Sequence, residues 1–242
     1  IAVNIAKTGK RVALFTLEMS AEQRFNRMTC LYGGFDFTEV RTGKRKNDNG
    51  TWRRWTDDEQ VEFLQKRNHV MDMPIYINEK SSIITTEVAA KVGELSLASP
   101  LDLVVVDYLG LMGDSPDSKR YEQVGKISRG LKEVAKSCNV PMMNLAQLNR
   151  DCEKRPDKKP ELADLRDAGD IEQDADVVIL LWRPWMYWKN EAEWRKDFKR
   201  DPYPGENVAE LNIAKFRNGE PGFVQLAFDA PRMRFLDLER RD

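Results

Sequence analysis

A mostly parallel α/β sheet covered by helices on both faces, with antiparallel strands at its C-terminal edge, is the fold class that these 242 residues predict. Three observations carry that expectation. Short apolar runs recur at 11–17, 101–109 and 141–146, and the one at 101–109, rich in β-branched residues, is too continuous for a strand buried on one face only. Stretches of helical period separate them, as in successive strand–helix–strand units. Beyond residue 207 the alternation stops, and three strand-like runs follow one another across short turns.

Taken in order, Ile1–Lys7 reads as the last turns of a helix stopped by Thr8-Gly9, so the chain is expected to start inside an element. Arg11–Leu17 is a strand. Ser20 then caps a helix with Gln23 at capping-box spacing, and the helix runs through Phe25, Met28 and Leu31 to Gly33-Gly34. The polar, turn-rich residues 41–58 read as a surface loop. There Trp52 and Trp55, beside Arg53 and Arg54, suit base stacking, although a packed loop tip is the plainer account. Asp58–Met71 is helical, with Val61, Leu64 and Val70 as its apolar positions. Pro74–Ile77 is a short strand. Thr86–Ala98 is a helix burying Val88, Ala89, Val92 and Leu95.

The run Leu101–Leu109 is the central strand, ending in Asp107. A loop at 113–120 leads to a helix with Val124, Ile127, Leu131 and Val134 on one face, and Pro141–Ala146 is the next buried strand, ending at Gln147. Residues 149–174 are charge-rich, Asp176–Trp182 is a strand, and the stretch 183–206 mixes acids, bases and aromatics. Val208–Phe216, Phe223–Phe228 and Met233–Leu238 close the chain as antiparallel strands, with Asn218-Gly219 as a hairpin signal. Neither an internal repeat nor a dividing linker is visible, so residues 1–242 read as one domain.

Composition narrows the function classes. Hydrophobic residues at 41% and charged residues at 33% describe a soluble globular protein. Lys plus Arg (39) nearly cancels Asp plus Glu (40), which argues against a histone-like or tail-driven nucleic-acid binder but leaves room for basic loops lining a channel. Cys30, Cys138 and Cys152 show neither a CxxC pair nor metal spacing, as suits a reducing cytosol. The lone histidine, His69, reads as a helix-surface residue. No apolar run approaches the roughly 20 residues that span a membrane.

Function is written at the strand ends. Glu18, Asp107 and Gln147 each follow a strand, and in parallel strands all three would gather at one edge of the sheet, where open α/β sheets bind ligands. They match what nucleoside triphosphate hydrolysis needs: a carboxylate to polarise water, another to hold Mg²⁺, and an amide to sense the γ-phosphate. Lys215 and Arg217 stand two apart on a strand and share a side. Spacing alone favours a solvated, aggregation-guarding edge there. Arginine-finger groups that reach a neighbour's phosphates are the sharper reading.

The stretches Phe15–Ser20, Val106–Leu109, Leu145–Arg150, Asp164–Asp176 and Ala214–Gly219, joined by Arg41-Thr-Gly43 and Ala227-Phe-Asp229, resemble the ordered motifs of the ATPase domain of DnaB-type replicative helicases. The resemblance runs from residue 11 to about 229, in family order. It implies a RecA-like core that binds ATP with Mg²⁺, assembles into a homo-hexamer and moves along single-stranded DNA in the cytoplasm of a bacterial or phage-infected cell. Primase and a helicase loader are implied as partners of the intact protein, and no membrane. By position, Glu18 matches the catalytic base, Asp107 the Mg²⁺-coordinating acid, and Gln147 the residue coupling γ-phosphate to the DNA loops. Lys215 and Arg217 match the trans-acting pair, which reverses the reading from spacing. The loop around Arg166, Asp167 and Gly169 matches a DNA-backbone contact, and Lys119 and Arg120 occupy a second loop facing the channel.

Two departures accompany the resemblance. No G-x-x-x-x-G-K-[ST] occurs in the 242 residues, which is expected of a chain cut just after that loop and lacking the primase-binding domain. The stretch 183–206, with Trp185, Trp188 and Trp194, is longer and more aromatic than the family's usual connection. Rival readings are another RecA-like DNA-dependent ATPase of recombination or repair, and an ATP-independent module for single-strand binding or ring assembly.

Overall fold

The computed structural model describes residues 1–78, 80, 82–114, 120–199 and 201–238, without the side chains of 120, 121 and 166–170. Two compact units result. The first comprises Ile1–Asp114, Glu133–Leu145 and Pro231–Met233, and the second the remaining described residues.

In chain order the elements are α1 (Ala2–Ala6), β1 (Val12–Thr16), α2 (Ala21–Gly33), α3 (Phe37–Thr42), β2 (Lys44–Lys46), β3 (Trp52–Arg54) and α4 (Asp57–Met71). There follow β4 (Ile75–Asn78), α5 (Thr85–Ala98), β5 (Leu103–Asp107), α6 (Arg120–Ser137), β6 (Met142–Asn144) and α7 (Gly169–Asp174). The chain ends with β7 (Val177–Trp182), α8 (Glu191–Asp197), β8 (Val208–Phe216), β9 (Gly222–Asp229) and β10 (Arg234–Asp237).

The first unit is organised on a parallel sheet of order β4-β1-β5-β6. Consecutive residues of β1 and β5 are buried whichever face they point to, so both faces of the sheet are covered. On one face α1 packs Ile5 and Ala6 against Val12, Leu103 and Val105. On the other, Ala13, Phe15, Val104 and Val106 are wholly inaccessible to solvent. Each such valine or phenylalanine contributes about 1.5–3 kcal/mol of transfer free energy. Helix α2 begins as its sequence signals: the Ser20 hydroxyl accepts from the Gln23 amide at 3.3 Å. It stops at Gly34, whose φ of 78° needs a residue without a Cβ. Val88 and Val92 of α5 are buried as their spacing predicts, whereas Ala89 and Leu95 are only half-buried. Val124, Ile127, Leu131 and Val134 of α6 are all buried.

Three expectations fail here. The strand β6, expected to be buried, is half-buried at Met142 and Met143 and exposed at Asn144. Residues 41–58 are not a plain loop: β2 and β3 pair antiparallel, Lys44 opposite Arg54 and Lys46 opposite Trp52. Ion pairing holds this polar hairpin, since Glu59 takes Arg45 at 2.8 Å and Arg53 at 2.6 Å while closing a capping box with Thr56. Those donors hold the Glu59 carboxyl well below the usual carboxylate range. In α4, only Val70 of the expected apolar set is buried; Val61 and Leu64 are 51% and 49% exposed. The packed face is set instead by Phe63, which meets Phe35 and Trp55 edge-on at 5.3 and 5.5 Å; His69 is an exposed helix-surface residue, as expected, and stacks on Tyr32. Trp55 is thus the packed loop tip and Trp52 the exposed one.

The second unit carries an antiparallel sheet of order β10-β9-β8-β7. One face of β7 is buried: Val178 and Leu180 pack with Leu162, Leu165 and Ala214, and Trp182 enters an aromatic cluster. The other face, Val177, Ile179 and Leu181, stays 44–52% exposed. Between β8 and β9, Gly219 lies against the Phe216 ring so closely that a Cβ would stand 2.6 Å from it. All three cysteines are free. Cys30 is fully buried with its thiol pushed up to about 12 by desolvation and the Asp36 charge, Cys152 is buried and raised, and Cys138 is half-exposed. Among the described residues no helix is long and apolar enough to cross a membrane.

Candidate active site

Parallel pairing decides where the acids go. Strands β1 and β5 run in register from Val12 opposite Leu103 to Thr16 opposite Asp107, and the Leu17 amide donates to the Asp107 carbonyl at 3.0 Å. Asp107 therefore ends its strand beside the turn that presents Glu18, just before Ser20 starts α2. Glu18 is exposed and Asp107 half-buried. Burial, and then the Glu18 charge, push the Asp107 carboxyl above its ordinary value, with Arg27 acting in the opposite sense. Two oxygen-donor acids in mutual repulsion, one partly desolvated, suit a hard divalent cation. Among the described residues no cluster of three or more His, Cys, Asp or Glu side chains could hold a metal.

A residue that sequence reasoning missed fixes this edge. Arg24 is buried, and its guanidinium donates to the Thr16 carbonyl at 3.0 Å, the Thr16 hydroxyl at 3.3 Å and the Asn78 carbonyl at 3.0 Å. It ties the carboxyl ends of β1 and β4 together two residues before Glu18. Its signal was available: Arg24 stands one helical turn before Met28 and two before Leu31, a charge on an apolar stripe. Arg27, one turn on, lies with its guanidinium 5.5 Å over the Phe37 ring.

In the second unit Gln147 is exposed and follows the parallel strand β6 by three residues. Lys215 sits opposite Val178 in the ladder, and its ammonium donates to the Glu172 carbonyl at 2.5 Å. Arg217 pairs with Asp176 at 2.6 Å, both side chains being more than half exposed. Arg166 and Asp167 lie in the 3₁₀ segment Leu162–Ala168, and Gly169 opens α7; their side chains are outside the described set. Lys119 and the Arg120 side chain also lie outside the described residues.

This architecture is shared. One solved structure, itself an ATPase domain, superposes with a TM-score of 0.84 at 28% identity, over 98% of this chain and 78% of that one. The structure of a DnaB-like replicative helicase, reported with its interactions with primase, gives 0.83 at 28% identity, over 98% of this chain and 53% of that one. The fold is that of a RecA-like helicase ATPase domain. Within that class the chain belongs to the family described as DnaB-like helicase C terminal domain, whose model matches residues 1–237. It is 39% identical to the replicative DNA helicase DnaB of Geobacillus stearothermophilus and 38% identical to the replicative DNA helicase DnaC of Bacillus subtilis. In both cases all of this chain aligns with 49% of the relative, so it spans about half the length of these proteins.

Proposed function

We infer that this chain is the motor part of a replicative DNA helicase, coupling ATP hydrolysis between subunits of a homo-hexamer to stepping along single-stranded DNA and unwinding of the duplex. The observation that carries the reading is the delivery of Glu18 and Asp107 to one carboxyl edge by neighbouring parallel strands. In it, Glu18 accepts the proton of the attacking water and Asp107 would hold Mg²⁺, which would supply charge neutralisation. Gln147 senses the γ-phosphate, and the residues around Arg166, Asp167 and Gly169, with Lys119 and Arg120, meet the DNA backbone. Primase and a helicase loader are partners of the intact protein, which acts in the cytoplasm of a bacterial or phage-infected cell.

Lys215 and Arg217 reach a neighbouring subunit's phosphates in this reading. Their present partners do not oppose it. An ion pair as exposed as Arg217–Asp176 is worth about 0–1 kcal/mol, less than one charge-assisted bond to phosphate supplies.

The test is calorimetric titration of Mg-ATP into the 242-residue chain and into a version extended upstream by a strand and a G-x-x-x-x-G-K-[ST] loop. The extended version should bind and hydrolyse ATP, and its Glu18→Gln variant should bind without turnover. Normal turnover by that variant refutes Glu18 as base. Tight binding by the unextended chain refutes the need for that loop.

A further inference from the structure

The aromatic stretch after β7 folds into a compact cluster that no step above uses. Trp182, Trp188 and Trp194 are all buried; Trp194 stacks on Phe198 at 4.0 Å and meets Trp188 edge-on at 5.2 Å. The Trp188 indole N–H donates to Asp197 at 2.8 Å and that of Trp194 to the Asp201 carbonyl at 3.0 Å. Two of the three indole N–H groups are thus satisfied within the cluster, while the buried Trp182 Nε1 has no hydrogen-bond partner among the described residues. Two cations of a neighbouring segment lie over the cluster's ring faces. Lys158 places its ammonium 5.1 Å from the Trp188 ring centre, and Lys159 places its own 4.5 Å from that of Trp182 while pairing with Glu210 at 2.9 Å.

From there the contacts run on toward the loop assigned above to DNA. The Lys159 carbonyl accepts from the Arg155 guanidinium, which also grips Asp164 with two bonds, at 3.0 and 2.5 Å. Asp164 is buried and additionally accepts from the Glu161 amide at 2.7 Å. Its carbonyl accepts from the Asn149 amide at 3.0 Å, two residues past Gln147. Asp164 itself lies in the 3₁₀ segment that contains Arg166 and Asp167.

We propose that the tryptophan cluster and the Arg155–Asp164 pair form a positioning latch that holds residues 162–168 ready for the phosphate backbone of single-stranded nucleic acid. The cluster is the anchor, Lys158 and Lys159 the tether, and Arg155–Asp164 the clasp. It rests on the DNA-contact reading of Arg166–Gly169. It also gives these lysines a role opposite to the one their charge suggests: both ammonium groups are committed to ring faces, and one to Glu210 as well, so they position the loop without touching phosphate. Arg155, Asp164, Lys158 and Lys159 are therefore positioning residues.

The experiment is fluorescence anisotropy of labelled oligo-dT with the 242-residue chain over a series of salt concentrations. Lys159→Met keeps the stem that covers Trp182 and removes only the charge. Its Kd should rise roughly tenfold at every salt, because the segment must then be ordered on binding. The slope of log K against log salt should stay unchanged, whereas Arg166→Met, which removes a phosphate contact, should reduce it by about 0.7. A reduced slope in Lys159→Met would make that lysine a direct phosphate contact and overturn the proposal, as would an unchanged Kd. Hydrogen exchange separates failure of the latch from failure of the DNA reading. Faster exchange of amides 162–168 in Lys159→Met, with β8 unaltered, supports the latch even if the oligonucleotide does not bind, a result that would refute the DNA reading. Unaltered exchange at 162–168 overturns the latch.

Discussion

Replacing Arg24 by methionine is the sharpest test of how the acid edge is held. The side chain is of similar length, so the stem's packing is largely kept and the change falls on the guanidinium. Two carbonyls, of Thr16 and Asn78, lose a charged donor in a place water does not reach, since both residues are at most 5% exposed. An orphaned buried carbonyl costs about 1–3 kcal/mol, and the Thr16 hydroxyl can rotate to another acceptor. Against this stands relief from burying a cation. That relief is large when a whole ion pair is replaced by apolar groups, but here the acceptors are backbone and stay behind. The carbonyls win, with a net loss of about 2–3 kcal/mol. For a chain of this size that is roughly 4–12 °C in Tm. Urea unfolding followed by circular dichroism measures the loss. Hydrogen exchange at the Leu17 amide, which donates to the Asp107 carbonyl, should quicken in the same variant because the strand end beside it is released. A methionine variant as stable as the parent, with Leu17 equally protected, would refute the clamp.

Four further outcomes follow from the same structure. Asp107→Asn should raise Tm at neutral pH: the folded-state pKa of Asp107 is raised, so the stability of its protonated form is complete below 3.8 and lost as pH rises through the folded value. The gain, about 0.5–2 kcal/mol, should vanish in melts near the acid end, and a lower Tm at pH 7 would contradict it. Asp164 behaves oppositely. Its pKa is lowered by Arg155, so its contribution is present above 3.8 and lost as pH falls through the folded value; Asp164→Asn should cost about 2–3 kcal/mol at neutral pH in urea unfolding, and less in acid. Trp194→Ala, which removes the ring between Trp188 and Phe198, should cost about 3–5 kcal/mol and collapse the near-ultraviolet circular dichroism of the cluster. Thr56→Ala opens the capping box of α4 and should lower urea stability by about 1 kcal/mol.

What the sequence made legible depended on how locally each element is determined. β5 could be read because Leu103–Val106 is apolar on both faces, and α2 because Ser20, Gln23 and Gly34 mark its ends with side chains of known geometry. The acid edge followed once β1 and β5 were taken as parallel. The β2–β3 hairpin could not be read, because Lys44-Arg-Lys46 carries no alternation of apolar and polar groups. Its stabilising partner, Glu59, belongs to the next helix. The packed face of α4 was misplaced because Phe63, Arg67 and Val70 compete with Val61 and Leu64 for the same period, and tertiary packing onto Phe35 and Trp55 decides between them. Arg24 was missed for a related reason: a buried cation satisfied by carbonyls has no sequence signature other than its intrusion on an apolar stripe.

The burial of two of the three thiols leaves this chain with a single chemical address. Cys30 is sealed beside Asp36 and Cys152 is shielded near Asp164, and both thiols are raised, which disfavours the thiolate that maleimides attack. Cys138, immediately beyond the end of α6, is free and partly open to solvent. A fluorophore or spin label added to the unmutated protein should therefore attach at that helix end alone. It would serve as a reporter there without removing any native cysteine.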